Sequence, residues 1–269
     1  MKNHKNQLIA LAIFLVAYVP VFMVMWNRWW ARDSYYSHGI LIPFVSAFLI
    51  WQMKDEISKI KPKESPLGFI VILGGVIIYL LASMFRVNIA ASLSMLIVFW
   101  GLVLYFYGNT LFKKLAFPLA FLFFMVPLPS VVITRLSFKL KLFAAELATY
   151  VIQGIGIKAV REGSIIMMPH AHVVVDDVCS GLRSLISLLA LGSIFAYWFK
   201  GAFWKRILIF ALTIPIAIIT NMCRVVILAF ISEVWGPQYA EGFIHDATGM
   251  LVFVLAFVLL FVSIKLLEE

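Results

Sequence analysis

Eight apolar stretches fill most of this chain, and little polar sequence is left between them. They run at about Leu8–Trp26, Gly39–Met53, Leu67–Met84, Ile89–Tyr107, Leu111–Leu128, Val178–Phe199, Ile207–Ile231 and Ile244–Leu266. A bilayer core about 30 Å thick is crossed by a helix of about 20 residues. Most of these stretches approach that length; Gly39–Met53 is short and needs tilting or local thinning of the bilayer. Apolar residues make up 64% of the chain and charged ones 13%, against about half and about a quarter in a soluble domain. The pattern predicts an all-α polytopic membrane protein with about eight transmembrane helices. It forms a single domain over residues 1–269, with no room for a soluble domain of ordinary size. The apolar run after Met1-Lys2-Asn3-His4-Lys5 is too long for a signal peptide and lacks a small-residue cleavage site, so it reads as a retained first span.

The net charge of +9 comes from Lys and Arg scattered in short loops. This is the habit of cytoplasmic loops, not a nucleic-acid footprint, so no nucleic-acid partner is expected. With the N-terminus inside, the inner regions hold Lys2, Lys5, Lys54, Lys59, Lys61, Lys63, Lys113, Lys114, Lys200, Lys205, Arg206 and Lys265. The short outer loops hold only Arg28, Arg32 and Arg86. The asymmetry predicts both termini inside.

Between the fifth and sixth stretches lies a long outer segment. Ser130–Gln153 sets apolar residues at helical spacing, interrupted by Arg135, Lys139, Lys141 and Glu146. It reads as an amphipathic helix in the outer interface, the alternative being a tilted ninth span. Gly163–Asp177 is β-rich around a turn at Pro169–Ala171 and reads as a small extracytoplasmic hairpin leading to Cys179.

Three residues stand at ends of apolar stretches that the charge count puts on one side. Cys179 is placed where the hairpin hands over to a long helix, whose free N–H groups and dipole favour a thiolate. Asp176 and Asp177 act against that. Arg183, four residues on, shares the cysteine's helix face, and Ser180, Gly181 and Ser184 permit close approach. Arg224 lies inside the seventh stretch with Asn221 three residues earlier; an ionisable residue there faces the bundle interior with a partner. It is suited to hold a thiolate or an oxyanion. His245 opens the eighth stretch as a candidate acid/base. Gly249, one turn on, leaves room for a neighbour, and Asp246 reads as a helix-start charge. The alternatives are a buried structural cysteine, a structural or snorkelling arginine and a solvated histidine.

Cys223 reads as a small core residue, and a Cys179–Cys223 disulfide would remove the nucleophile. No CxxC is present, which argues against a thioredoxin-type or quinone-linked redox relay. His170 and His172 alternate along the hairpin toward one side, but no third ligand is evident; no metal and no cofactor are expected.

In order and spacing, the segments Cys179-Ser180-Gly181-Leu182-Arg183-Ser184, Asn221-x-x-Arg224 and His245-x-x-x-Gly249 resemble the exosortase/archaeosortase family of polytopic transpeptidase-like membrane proteins. Ser37-His38-Gly39-Ile40-Leu41-Ile42-Pro43 and Phe123-Phe124-Met125-Val126-Pro127-Leu128-Pro129 extend the likeness over nearly the whole chain. The Asp176-Asp177 pair departs from it, since a less acidic pair is expected there. The resemblance implies a prokaryotic cytoplasmic-membrane enzyme with its site on the outer side. Its partners would be membrane lipid and exported proteins carrying a C-terminal signal: a motif such as Pro-Glu-Pro, a transmembrane helix and a basic cluster. It also implies a Cys–Arg–His set at Cys179, Arg224 and His245. In that chemistry Cys179 attacks a peptide carbonyl to give a thioester, His245 moves protons and Arg224 stabilises the oxyanion. Arg183 and Asn221 then contact or orient the substrate. The rivals are a protease that only hydrolyses, a small-molecule transporter and a membrane protein without chemistry. The spans lack the buried acidic residues that ion coupling uses.

Overall fold

The computed structural model describes residues 2–31, 34–176, 179–240 and 242–268, with the side chains of residues 2, 3 and 246 outside that description. The expectations for Arg32, Asp177 and the Asp246 side chain therefore lie outside the described residues. Contacts divide the chain into two compact units, Met1–Pro129 and Ser130–Glu269.

The first unit opens with α1 (Lys2–Ala17) and α2 (Val19–Trp29). The two meet at 59°. Pro20 in the first turn of α2 has no N–H and its ring excludes the preceding turn, so the helix breaks at Tyr18. A 3₁₀ turn at Ser37–Ile40 leads to α3 (Ile42–Gln52), α4 (Lys54–Ile57), α5 (Pro66–Met84), α6 (Asn88–Lys114) and α7 (Ala116–Phe121), which runs into a 3₁₀ turn at Leu122–Met125. The chain turns back between α5 and α6, and their backbones touch: a Cβ on Gly68 would stand 2.3 Å from the Tyr105 amide nitrogen.

The fifth apolar stretch is not one continuous helix. Its first residues finish α6, and the rest is the broken α7 and 3₁₀ segment. A helix this short leaves its last carbonyls unbonded, and in an apolar setting protein groups must satisfy them. Ser46 donates to the Pro118 carbonyl at 2.7 Å, Trp100 Nε1 to Leu119 at 3.1 Å and Trp29 Nε1 to Met125 at 3.0 Å.

In the second unit α8 (Ser130–Gly154) leads through β1 (Val160–Glu162), β2 (Ile165–Met167) and β3 (His172–Val174) to α9 (Leu182–Trp198), α10 (Phe203–Trp235) and α11 (Phe243–Glu268). The expected helix at Ser130–Gln153 is present. It buries Ile133, Ser137, Ala144, Ala148 and Ile152 along one stripe and exposes Arg135 and Lys139. The expected hairpin is β2–β3, pairing Met167 with His172 and Ile165 with Val174. β1 extends it to a three-stranded antiparallel sheet in the order β1-β2-β3. α10 is the centre of the unit and packs on α8, α9, α11 and β3. One core joins α9, α10 and α11 around Leu188, Ile209, Ala217 and Leu260. A second joins α8, the sheet and α10 around Ala145, Ile152, Ile166, Val175, Val225 and Cys179.

Among the described residues four helices are long and apolar enough to cross a membrane: α5, α6, α10 and α11. The count reaches six if two bent pairs, α1 with α2 and Ala116–Met125 with α8, each make one span. The eight spans expected from the sequence stand against these four to six candidates among the described residues. α3, with 11 residues, reaches only about 16 Å, and α9, with 17, about 26 Å, against a core of about 30 Å.

Candidate active site

The chain enters α9 through a turn that fixes the cysteine. The Cys179 N–H donates to the Asp176 carbonyl at 2.9 Å. Gly181 then takes φ 78° and ψ 0°, a left-handed conformation that costs a residue with a Cβ about 1–2 kcal/mol. α9 begins at Leu182, so Cys179 precedes the helix. This corrects the placement of the thiol on the helix N-terminus, and with it the idea that Arg183 shares its face. The turn is tied to α10: Asn221 Nδ2 donates to the Cys179 carbonyl at 2.8 Å. A Cβ on Gly181 would lie 2.7 Å from Asn221 Cγ, so the glycine also makes room for the tether. Ser180 is buried, and its hydroxyl oxygen accepts weakly from the Leu182 N–H at 3.4 Å.

Asn221 and Arg224 are three apart on α10 and share a face. Arg224 is 9% exposed and points to the start of α11. Its Nη2 donates to the His245 carbonyl at 3.0 Å, which also accepts from Thr248 Oγ1 at 2.9 Å. The same Nη2 lies 3.1 Å from His245 Nε2 and 3.4 Å from Nδ1. A position nearly equidistant from both ring nitrogens lies over the ring face, not along either in-plane lone pair. Nη2 thus sits over the imidazole face and leaves the Nε2 lone pair to another partner. That partner is Cys179, whose Sγ is 3.1 Å from Nε2. Gly249 forms the shelf below: a Cβ there would approach Arg224 Nη2 to 3.3 Å.

Burial in the apolar cluster pushes the Cys179 thiol above its ordinary value; Arg224 pulls the other way and Asp176 adds to the rise. Desolvation prevails over the arginine, so the sulfur rests as a thiol facing a nitrogen that can take its proton.

Among the described residues nothing hydrogen-bonds with Arg183 Nε, which is buried. Cys179 and Cys223 are both free, and Cys223 is half-buried. His170 and His172 have different neighbours. His170 sits in the turn, where its N–H and Nδ1 bind the Glu233 carboxylate at 3.1 and 2.8 Å. His172 lies on β3 and lines a pocket of about 280 Å³ together with Asp176, Cys179, His245 and the α10 residues Val225, Leu228 and Ser232. Sequence reasoning missed Glu233 and Thr248. A carboxylate near the end of an apolar helix was the available sign for Glu233; Thr248 offered none beyond its place one turn after His245.

A thiol, an imidazole and a guanidinium stand together here, residue types that can serve acyl-transfer chemistry. The chain matches the family model described as transmembrane exosortase over residues 29–262. No curated protein and no solved structure matches it. With most of its length matched, including Cys179, Arg224 and His245, the chain belongs to the transmembrane exosortase family.

Proposed function

We propose that this chain is a cysteine transpeptidase or protease that processes the C-terminal sorting signals of exported proteins through a thioester. The observation that carries the reading is the 3.1 Å approach of Cys179 Sγ to His245 Nε2 beneath the Arg224 guanidinium. His245, with its proton on Nδ1, takes the Cys179 proton at Nε2 as sulfur bonds to the substrate carbonyl carbon. Arg224 stabilises the negative charge on the former carbonyl oxygen. The carbon–nitrogen bond then breaks, and His245 returns the proton to the leaving amine. An incoming water or amine gives its proton to His245 and attacks the thioester, and the thiolate that leaves takes that proton back from His245. Asn221 positions the nucleophile through its backbone carbonyl, Gly249 seats the arginine, and Ser180 supports the turn. Arg183 serves the substrate side.

The chain acts as one domain, 1–269, in a prokaryotic cytoplasmic membrane; the family match, which runs across both contact units, supports this. We place both termini inside and the site outside, supported by the basic residues at Lys54, Lys59, Lys61, Lys63, Lys200, Lys205 and Arg206. An impermeant thiol reagent on single-cysteine variants at Lys59 and Ser164 tests this. The two positions are expected to react from opposite sides, and reaction from one side rules the topology out. The chemistry is tested in membranes with an exported reporter bearing a motif, a helix and a basic tail. A covalent reporter adduct on Cys179 is expected. Continued processing by Cys179→Ala refutes the mechanism.

A further inference from the structure

The sheet beside the cysteine has one edge that the fold leaves open. In the β2–β3 pair the Met168 N–H donates to the Ala171 carbonyl at 2.9 Å, and the Val175 N–H to Ser164 at 2.8 Å. Val173 pairs with Ile166 between them. The ladder therefore falls on residues 171, 173 and 175, because narrow and wide pairs alternate in an antiparallel ribbon. The N–H and C=O groups of His172 and Val174 point to the other edge. β3 is the last strand of the sheet, and no strand pairs with that edge among the described residues.

The pocket that reaches Cys179 and His245 is lined by every residue from His172 to Asp176. Side chains of a strand alternate between two faces. His172 and Val174 are exposed on one, and Val173 and Val175 turn inward on the other. A pocket touching all of them in succession runs along the strand's edge, where the backbone groups are. The opposite wall is apolar and comes from Leu228 on α10 and from Pro237 and Ala240 beyond it.

We propose that the substrate polypeptide binds as an added strand on the free edge of β3, in extended form, with its scissile carbonyl delivered to Cys179. This rests on the reading of Cys179 as nucleophile. One substrate residue gives its N–H to the His172 carbonyl and accepts from the Val174 N–H, and the residue two places on repeats the pattern further along. The enzyme's own chain sets the direction. It runs from β3 through Cys179 into the apolar α9. A substrate whose extended segment precedes a membrane helix follows the same course, so the added strand is parallel. Backbone bonds supply affinity with little demand on side chains, as in other strand-addition complexes.

The test uses the full chain in its native membranes and a pool of N-acetyl tetrapeptidyl chloromethyl ketones, whose warhead alkylates a thiol with loss of chloride. One set is unmethylated. The others carry a single N-methyl group at each successive amide, and a chloromethyl ketone without peptide is the reference. Labelling of Cys179 is read by mass spectrometry. The peptide pool is expected to label faster than the bare ketone. N-methylation is expected to slow labelling about fivefold or more at alternate amides and not at those between, one lost hydrogen bond at a time. Val174→Pro removes an N–H from the open edge only, a position where proline is tolerated, and is expected to abolish the alternation. Labelling no faster with peptide, or slowed equally at every amide, overturns strand addition and leaves the nucleophile reading standing. Reporter processing that survives Cys179→Ala removes both.

Discussion

Two regions of this apolar chain bury polar atoms, and they dispose of them in opposite ways. At the α7 break the buried carbonyls of Pro118, Leu119 and Met125 each meet one side-chain donor, from Ser46, Trp100 and Trp29. At the Cys179 turn the backbone is equally well tied, by Asn221 and Asp176. The side chains there keep reactive capacity: a thiol 3.1 Å from an imidazole, and a buried guanidinium whose Nε has no partner among the described residues. A buried polar group without a partner costs about 1–3 kcal/mol. The first region removes that cost and is architecture. The second retains some of it where charge would develop in a reaction, which is how sites are prepared.

The contrast breaks most simply at the sulfur. Cys179→Ala is expected to reduce reporter processing to background with protein levels near normal, and Cys223→Ala to keep most activity. Loss confined to the Cys223 variant reverses the assignment. His245→Ala is expected to lower the rate by about 10²–10⁴ and to remove a limb of the pH–rate profile. Arg224→Lys ranks next. An ammonium is a point charge without the planar fork whose Nη2 here meets both the imidazole and the His245 carbonyl. A fall of about 10²–10³ in kcat with KM little changed is expected. A rise in KM alone makes Arg224 a substrate-binding group.

Residue types and periodicity made the site legible, but not its wiring. Cys179, Arg224 and His245 were recognisable as a thiol, a cation and an imidazole at ends of apolar stretches, and the structure brings them together. Arg183 was misplaced because helical spacing was counted from Cys179, whereas α9 starts only after the left-handed Gly181. Glycine permits that conformation but does not announce it. The contact of Arg224 with His245 depends on how α10 and α11 meet, which is a long-range fact. In the fold, α8 and the β2–β3 hairpin were legible from local pattern. β1 was not, since three residues of Val-Arg-Glu carry almost no periodic signal. Apolar run length counts more spans than the four to six candidates among the described residues, because hydropathy does not distinguish a lipid-crossing helix from a broken segment whose carbonyls find donors far away in sequence, as Met125 finds Trp29.

Two substitutions sharpen the comparison at intermediate size. Gly181→Ala forces a Cβ into a left-handed residue and against Asn221, so a stability loss of at least about 1–2 kcal/mol is expected, with loss of rate in the molecules that remain folded. Ser46→Ala orphans the Pro118 carbonyl, and thermal unfolding in detergent should register about 1–3 kcal/mol. Its processing rate per folded molecule should be unchanged. A rate defect without a stability defect in Ser46→Ala places the α7 break in the reaction and erases the distinction between the two regions.

The smallest effect is the most diagnostic of the chemistry. Burial raises the Cys179 thiol, and Asp176 adds to the rise, against the pull of Arg224. A raised thiol holds less thiolate at neutral pH than an ordinary one, and the thiolate is what alkylates. The rate of Cys179 labelling by a small alkylating reagent should therefore climb with pH through a midpoint above the ordinary thiol range. Asp176→Asn removes one negative neighbour and keeps the backbone carbonyl that the Cys179 N–H binds, so the midpoint should move down modestly. Arg224→Met should move it up. A midpoint below the ordinary range, insensitive to Asp176→Asn, means that sulfur and imidazole rest as an ion pair. Arg224 then prevails over desolvation, proton transfer precedes substrate binding, and His245 acts first as an acid toward the leaving amine instead of as a base toward the thiol.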